Sequence, residues 1–217
     1  MKNDAPKPYA LSDKSIKRLT ERTNKRFEES KQKLNIMDFD EVNVLKESIK
    51  LYERLYSDCK KEWRTLYADR YIEMWLYLKG KKPDEDELDE LIEMEMSRLL
   101  YEAHPVTKYI FDSEVLRKRD RMFEDVQASP TKAQKQLAME KGKRFWAQMT
   151  TWYTDFTSQD AELDALENAG VKKVRWNIYG DDKVCQTCHD MDGRVYLIDK
   201  VPERPHVRCR CYLTQIN

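Results

Sequence analysis

The chain has 217 residues, enough for one medium domain or for a long helical part with a small appendage. Its 40 basic residues balance 40 acidic ones, which argues against a strongly basic nucleic-acid scaffold. Charged residues make up 37% and there are only five glycines, a composition that favours long solvated helices over a compact sheet-rich enzyme. No apolar run approaches the ~20 residues that span a bilayer, so a soluble protein with no membrane partner is expected.

In chain order, residues 1–12, with Pro6 and Pro8, read as a flexible arm. Ser12 and Asp13 offer N-caps for a helix to about Leu34 with Ile16, Leu19, Thr23 and Phe27 on one face. A longer helix follows from about Asp40 to Leu78. In it Leu45, Ile49, Tyr52, Tyr56, Cys59, Trp63 and Leu66 recur at steps of four and three, the seam of a helix packed along another helix. Gly80 and Pro83 end it.

An acidic helix from about Asp84 to Glu102 comes next, with Leu88, Leu91, Ile92 and Leu99 inward. His104-Pro105 breaks it, and this histidine reads as a turn residue with no chemical role. A fourth helix spans about Thr107 to Val126, and Ser129-Pro130 starts a fifth. The fifth carries Leu137, Phe145, Trp146, Met149, Trp152 and Tyr153, whose helical spacing marks core packing and not a base-stacking surface. Thr157 or Ser158 opens a short sixth helix that Gly170 ends with a left-handed cap.

The period then changes to two. Val174, Trp176 and Ile178 mark a strand within Val171–Tyr179; Arg194–Ile198 and Arg210–Leu213 read as two more, with Asp192-Gly193 as a turn. The expected architecture is mainly α, long N-terminal helices followed by a short three-stranded element in a small α+β, zinc-stapled C-terminal domain. Its divisions are an arm at 1–12, a helical domain at 13–128, and a domain at 129–217 whose metal-binding knob occupies 171–214. A sheet this small buries little apolar surface, so a metal cross-link is the expected source of its stability.

The candidate ligands are Cys185 and Cys188 of a CxxC turn, then His206, Cys209 and Cys211 in a His-x-x-Cys-x-Cys run. Soft thiolates with one imidazole suit a structural zinc, whereas magnesium and calcium want oxygen. Five candidates compete for four places. Cys209 is preferred because its spacing from His206 mirrors the CxxC turn; Cys211, two residues on along a strand, is the competitor. His189, beside Cys188, is a weaker candidate. Two disulfides are the alternative, disfavoured because no signal peptide is evident. A redox-active CxxC is also disfavoured, since such motifs open a helix and Asp190–Gly193 reads as a turn.

Together, Ala169–Trp176, Asp182–Cys188, Asp192-Gly193 and Pro205-His206-Val207-Arg208-Cys209-Arg210-Cys211 resemble the C-terminal domain of the tailed-phage head-morphogenesis family, which includes the F protein of phage Mu. The resemblance covers about residues 130–214. It departs from the family where His-Pro often precedes Cys-Arg-Cys and this chain has Pro205-His206-Val207. It implies a minor capsid protein without enzymatic activity, associated with the portal protein and other head proteins during assembly in the host cytoplasm, and then present in the virion. A zinc-dependent nucleic-acid-binding protein is one alternative, with Lys172, Lys173, Arg175, Arg194, Arg204, Arg208 and Arg210 as a local basic patch for DNA; the plainer readings of that patch are a solvated face or a dock for an acidic protein partner. The competing class is a phage-borne metal-dependent nuclease or toxin using Cys185, His189 or His206. Against it, a catalytic zinc keeps an open position, and the ligands here suffice to close the shell.

Overall fold

A computed structural model describes residues 6, 8–37, 41–101, 111–180 and 183–216. Six α-helices lie among them, α1 (Pro8–Met37), α2 (Glu41–Lys79), α3 (Glu85–Tyr101), α4 (Phe111–Ala128), α5 (Lys132–Asn168) and α6 (Gln186–Met191). Three strands, β1 (Lys173–Ile178), β2 (Val195–Leu197) and β3 (Cys211–Gln215), form an antiparallel sheet in the order β2-β1-β3. The fold is thus mainly helical with a small C-terminal sheet. The His104-Pro105 break and the Thr107 helix start lie outside the described residues, as does the helix start at Asp40.

The residues group into two compact units. One contains 1–15, 64–93 and 152–217; the other contains 16–63 and 94–151. In the second unit, Leu19, Phe27 and Leu34 of α1 are buried, as are Leu51, Tyr52, Leu55, Cys59 and Trp63 of α2. Trp146 of α5 meets Tyr52 edge-on at 5.4 Å, an arrangement that favours the ring quadrupoles. Serines and threonines at the α1 seam, Thr23 and Ser30, allow close approach of a neighbouring helix, and Ser30 Oγ donates to Glu47 at 2.8 Å.

Several positions differ from the sequence reading. The first helix, expected from Ser12 or Asp13, begins at Pro8, where a missing N–H costs a first-turn residue nothing. Ser12 lies inside the helix. The α2 seam is offset at its start: Leu45 is exposed and Val44, Ser48, Leu51 and Leu55 are buried instead. Periodicity of apolar residues misses that stripe because it also carries Glu47 and Glu62. These acids are buried with partners, Arg54 at 2.8 Å from Glu47 and Arg18 at 2.5 Å from Glu62.

The expected break at Thr157 or Ser158 is absent; α5 runs on to Asn168. The Thr157 hydroxyl donates to Tyr153 O at 2.7 Å within the helix instead of capping a new one, as Thr150 and Thr151 do to Trp146 O and Ala147 O at 3.0 and 2.8 Å. On the same helix Leu137 and Trp152, expected inward, are 54% and 40% exposed. The end comes where Gly170 was read to end it. Its φ is +81°, and Val171 N donates to Leu166 O at 3.1 Å to close a Schellman cap.

Gly142 of α5 packs against α4, and a Cβ there would stand 2.9 Å from Met122 Sδ. Gly142→Ala should change stability by no more than about 1 kcal/mol, since helix propensity and the yielding methionine offset each other. Gly142→Ile should cost about 1–3 kcal/mol by overpacking. Urea unfolding of the two variants checks this.

Candidate metal centre

The carboxyl-terminal third of the first unit is built around β1. Its side chains alternate: Val174 and Trp176 are buried, Lys173 and Arg175 exposed. From β1 the chain passes Gly180 to the CxxC segment, which opens a helix and is not followed directly by a turn. Cys185 is the N-cap of α6, its sulfur accepting from Cys188 N at 3.4 Å. The Asp192-Gly193 turn then comes with Gly193 at φ +75°, and Asp192 Oδ1 accepts from Ile178 N at 3.2 Å. This returns the chain to β2.

The last stretch brings His206, Cys209 and Cys211 back to the CxxC pair. Two triads form, Cys185–Cys188–His206 and Cys188–Cys209–Cys211, each with its ligand atoms within 4.8 Å of one another. Cys188 belongs to both. Its sulfur is 3.4 Å from that of Cys185, 3.2 Å from Cys209 and 2.9 Å from Cys211. A tetrahedral zinc with Zn–S near 2.3 Å spaces its thiolates by about 3.8 Å, so small shifts convert these separations into a coordination shell.

All five expected residues therefore converge, and Cys209 and Cys211 both lie at the centre. Cys188, Cys209 and Cys211 are buried, Cys185 is half-buried, and His206 is exposed at the rim. A proton on His206 Nδ1 donates to Val207 O at 2.9 Å, so a cation would be met by Nε2 once that nitrogen is without a proton. His189 is exposed and belongs to neither triad. The cysteines carry no disulfide.

Hydrogen bonding sorts the thiols. Burial raises Cys185, but hydrogen bonds from Cys188 and His206 outweigh it and hold the thiol below its ordinary value. A hydrogen bond from Cys211 brings Cys209 down to about 6 against its burial. Burial pushes Cys188 up to about 12. Thiols held below and above their ordinary value thus lie side by side, and a divalent cation that displaced protons would compensate the charge of the sulfurs. The cluster can hold a metal ion, and its sulfur-rich donor set suits a soft one.

Two carboxylates of α5, seven residues apart on one face, hold the loop that delivers these ligands. Glu162, 1% exposed, accepts from Leu213 N at 3.1 Å and from Arg204, and forms an ion pair with Arg70 of α2 at 3.2 Å. Asp155 accepts from Arg208 N, and Arg208 has φ 59°, a left-handed conformation unfavourable for a side chain of this kind. The Arg208 guanidinium reaches Asp13 of α1 at 2.8 Å. That of Arg210 lies 4.1 Å from the Tyr9 ring.

The sequence marks none of Arg70, Asp155 and Glu162, and Asp13 only as an N-cap. The available signal was an acidic pair at i and i+7 on a stripe otherwise made of Thr, Ser and Ala, which a helix buries. The basic residues of the C-terminal segment also divide. Arg204, Arg208 and Arg210 are engaged within the first unit, whereas Lys172, Lys173, Arg175 and Arg194 are exposed and have no ion pair among the described residues.

Comparison with protein-family models, with curated proteins and with solved structures gives no match in any of the three. Among the described residues no helix is long and apolar enough to cross a membrane.

Glu162→Gln removes the charge that balances two buried guanidinium groups, and should cost about 3–5 kcal/mol in urea unfolding. Asp155 behaves in the opposite sense. Burial raises its pKa to about 6, so its favourable contribution is complete at low pH and is lost as pH rises through that value. Between pH 4 and 7 the wild type should lose about 2 kcal/mol relative to Asp155→Asn.

Proposed function

We propose that the protein is a minor head protein of a tailed phage or prophage-derived particle, a non-enzymatic component that associates with the portal vertex during assembly. The observation that carries this reading is the convergence of Cys185, Cys188, His206, Cys209 and Cys211 beside a tryptophan-bearing strand, in the order the head-morphogenesis domain has them. A helical part preceding a small cysteine-stapled sheet is also what that resemblance implies. The ion in this reading is one structural zinc, held by Cys185, Cys188, His206 and one of Cys209 and Cys211. Zinc at such a shell closes a loop of chain and supplies folding free energy without an open coordination position for chemistry.

The helical seams are buried, so docking to portal and other head proteins falls to outward-facing charged surfaces of the helices. The location that follows is the phage head, with the host cytoplasm as the site of assembly.

Protein purified without added metal should contain about one zinc per chain by elemental analysis. Cys209→Ser should lose the metal and unfold the C-terminal sheet, while Cys211→Ser should retain both; the reverse outcome assigns the place to Cys211. For the function, tagged protein should co-purify with the portal protein of its own genome and with procapsids, and show no turnover of nucleic acid or peptide. Metal-dependent DNA cleavage that Cys185→Ser abolishes, in a protein that never associates with head proteins, would overturn the reading.

A further inference from the structure

The exposed face of the C-terminal sheet is a second functional surface, distinct from the metal cluster. β2 is an edge strand. Trp176 N donates to Arg194 O at 2.9 Å and Ile198 N to Lys172 O at 3.1 Å, so pairing with β1 uses the backbone of alternate residues, Arg194, Tyr196 and Ile198. By the same alternation the N–H and C=O groups of Val195 and Leu197 point away from β1 along the open edge. Their side chains are exposed too, 48% and 49%, and lie opposite Arg175 and Lys173 in the antiparallel register.

The result is an aliphatic pair on an open edge, flanked by four cations. Lys172, Lys173, Arg175 and Arg194 are all exposed without an ion pair among the described residues. Elsewhere in the same unit Arg64, Arg70, Arg204 and Arg208 are each matched to a carboxylate. An open edge is a template for another strand, and natural proteins place lysine or arginine on it to block pairing with a second copy. Two copies of this edge would juxtapose like charges, which excludes self-pairing but favours an acidic strand. The aliphatic pair selects between acidic partners. A phosphate backbone gains nothing from Val195 and Leu197, whereas an added peptide strand can carry apolar side chains between acidic ones on the single face that Val195, Leu197, Lys173 and Arg175 share, and so satisfies the cations, the aliphatic pair and the open backbone together.

We propose that the β2 edge and the adjoining face of β1 dock an acidic, apolar-centred segment of another protein, which adds to the sheet as a fourth strand. The inference stands apart from the head-protein reading, since it depends only on this face.

Leu197 allows a selective test. Its φ of −65° and ψ of 146° are those of proline, and its N–H lies on the side away from β1, so Leu197→Pro keeps the sheet while removing a donor that an added strand needs. The probe is a fluorescently labelled peptide of about ten residues with glutamate, valine, valine and glutamate at successive alternate positions and serine between them, compared with a lysine–valine counterpart in which lysine replaces each glutamate, and with a short DNA duplex. Fluorescence anisotropy should show binding of the acidic peptide alone, weakened about tenfold or more by Leu197→Pro, and by Lys173→Glu combined with Arg175→Glu. Leu197→Ala separates side chain from backbone and should weaken binding less than Leu197→Pro. Circular dichroism and metal content should match the wild type in each variant. Three results would overturn the proposal: no binding of the acidic peptide, equal binding of the lysine–valine peptide, or binding that Leu197→Pro leaves intact. DNA binding abolished by the charge reversals, with no peptide binding, would reassign the face to nucleic acid.

Discussion

The C-terminal sheet depends on one buried carboxylate. Glu162 sits on α5 with almost no exposure, and receives hydrogen bonds or ion pairs from α2, from the loop before the histidine ligand and from β3. Burying a charge is costly unless it is paired and hydrogen-bonded, and here both oxygens are used, one by Arg70 and the Leu213 amide, the other by Arg204. The arrangement specifies register more than it adds free energy. A one-residue slip of β3 would withdraw the Leu213 amide from Glu162 and exchange the buried and exposed faces of the strand.

The need for such a device follows from the size of the sheet. Its three strands have only a few inward apolar side chains, chiefly Val174, Trp176 and Leu213, with Cys188, Cys209 and Cys211 beside them. That is too little apolar surface to offset the entropy of ordering the intervening loops. Two kinds of polar cross-link supplement it. The α5 carboxylates fix the loop from the helical side, and the thiol cluster ties α6 to the residues around β3 from within. Arg208 shows how the two are coupled. It holds a left-handed backbone conformation next to Cys209, and its amide is engaged by Asp155, so the strain that presents the ligand is balanced by a buried hydrogen bond.

How far the fold could be read from the sequence follows from which forces act locally. Helix α2 ends near its expected bound and α5 ends where Gly170 was expected to end a helix, because Gly80 and Gly170 are local signals. The cluster that can hold a metal was legible for the same reason, since spacing alone brings two cysteines of a CxxC turn together. Less legible were features in which a polar residue stands where an apolar one was expected. Thr157 looked like a cap and became an interior residue by back-bonding to Tyr153; Glu47 and Glu62 carry no local signal and are buried beside their arginines. Asp155 and Glu162 were missed in the same way. Their burial depends on partners far away in the chain, which no local pattern reveals.

The same distinction sorts the cations of the C-terminal segment. In the sequence they form one basic cluster, and a formal net charge of zero says nothing about where it is neutralised. In the structure three of its arginines are engaged internally, by Glu162, Asp13 and the Tyr9 ring, and serve to hold the ligand-bearing loop. The four that remain surround an apolar edge. A basic motif is therefore a poor guide to nucleic-acid contact until the internal pairs have been subtracted, because the long-range field that attracts phosphate scales with the uncompensated charge. Here the subtraction leaves, among the described residues, four exposed cations beside an exposed aliphatic pair, so charge alone does not describe the surface.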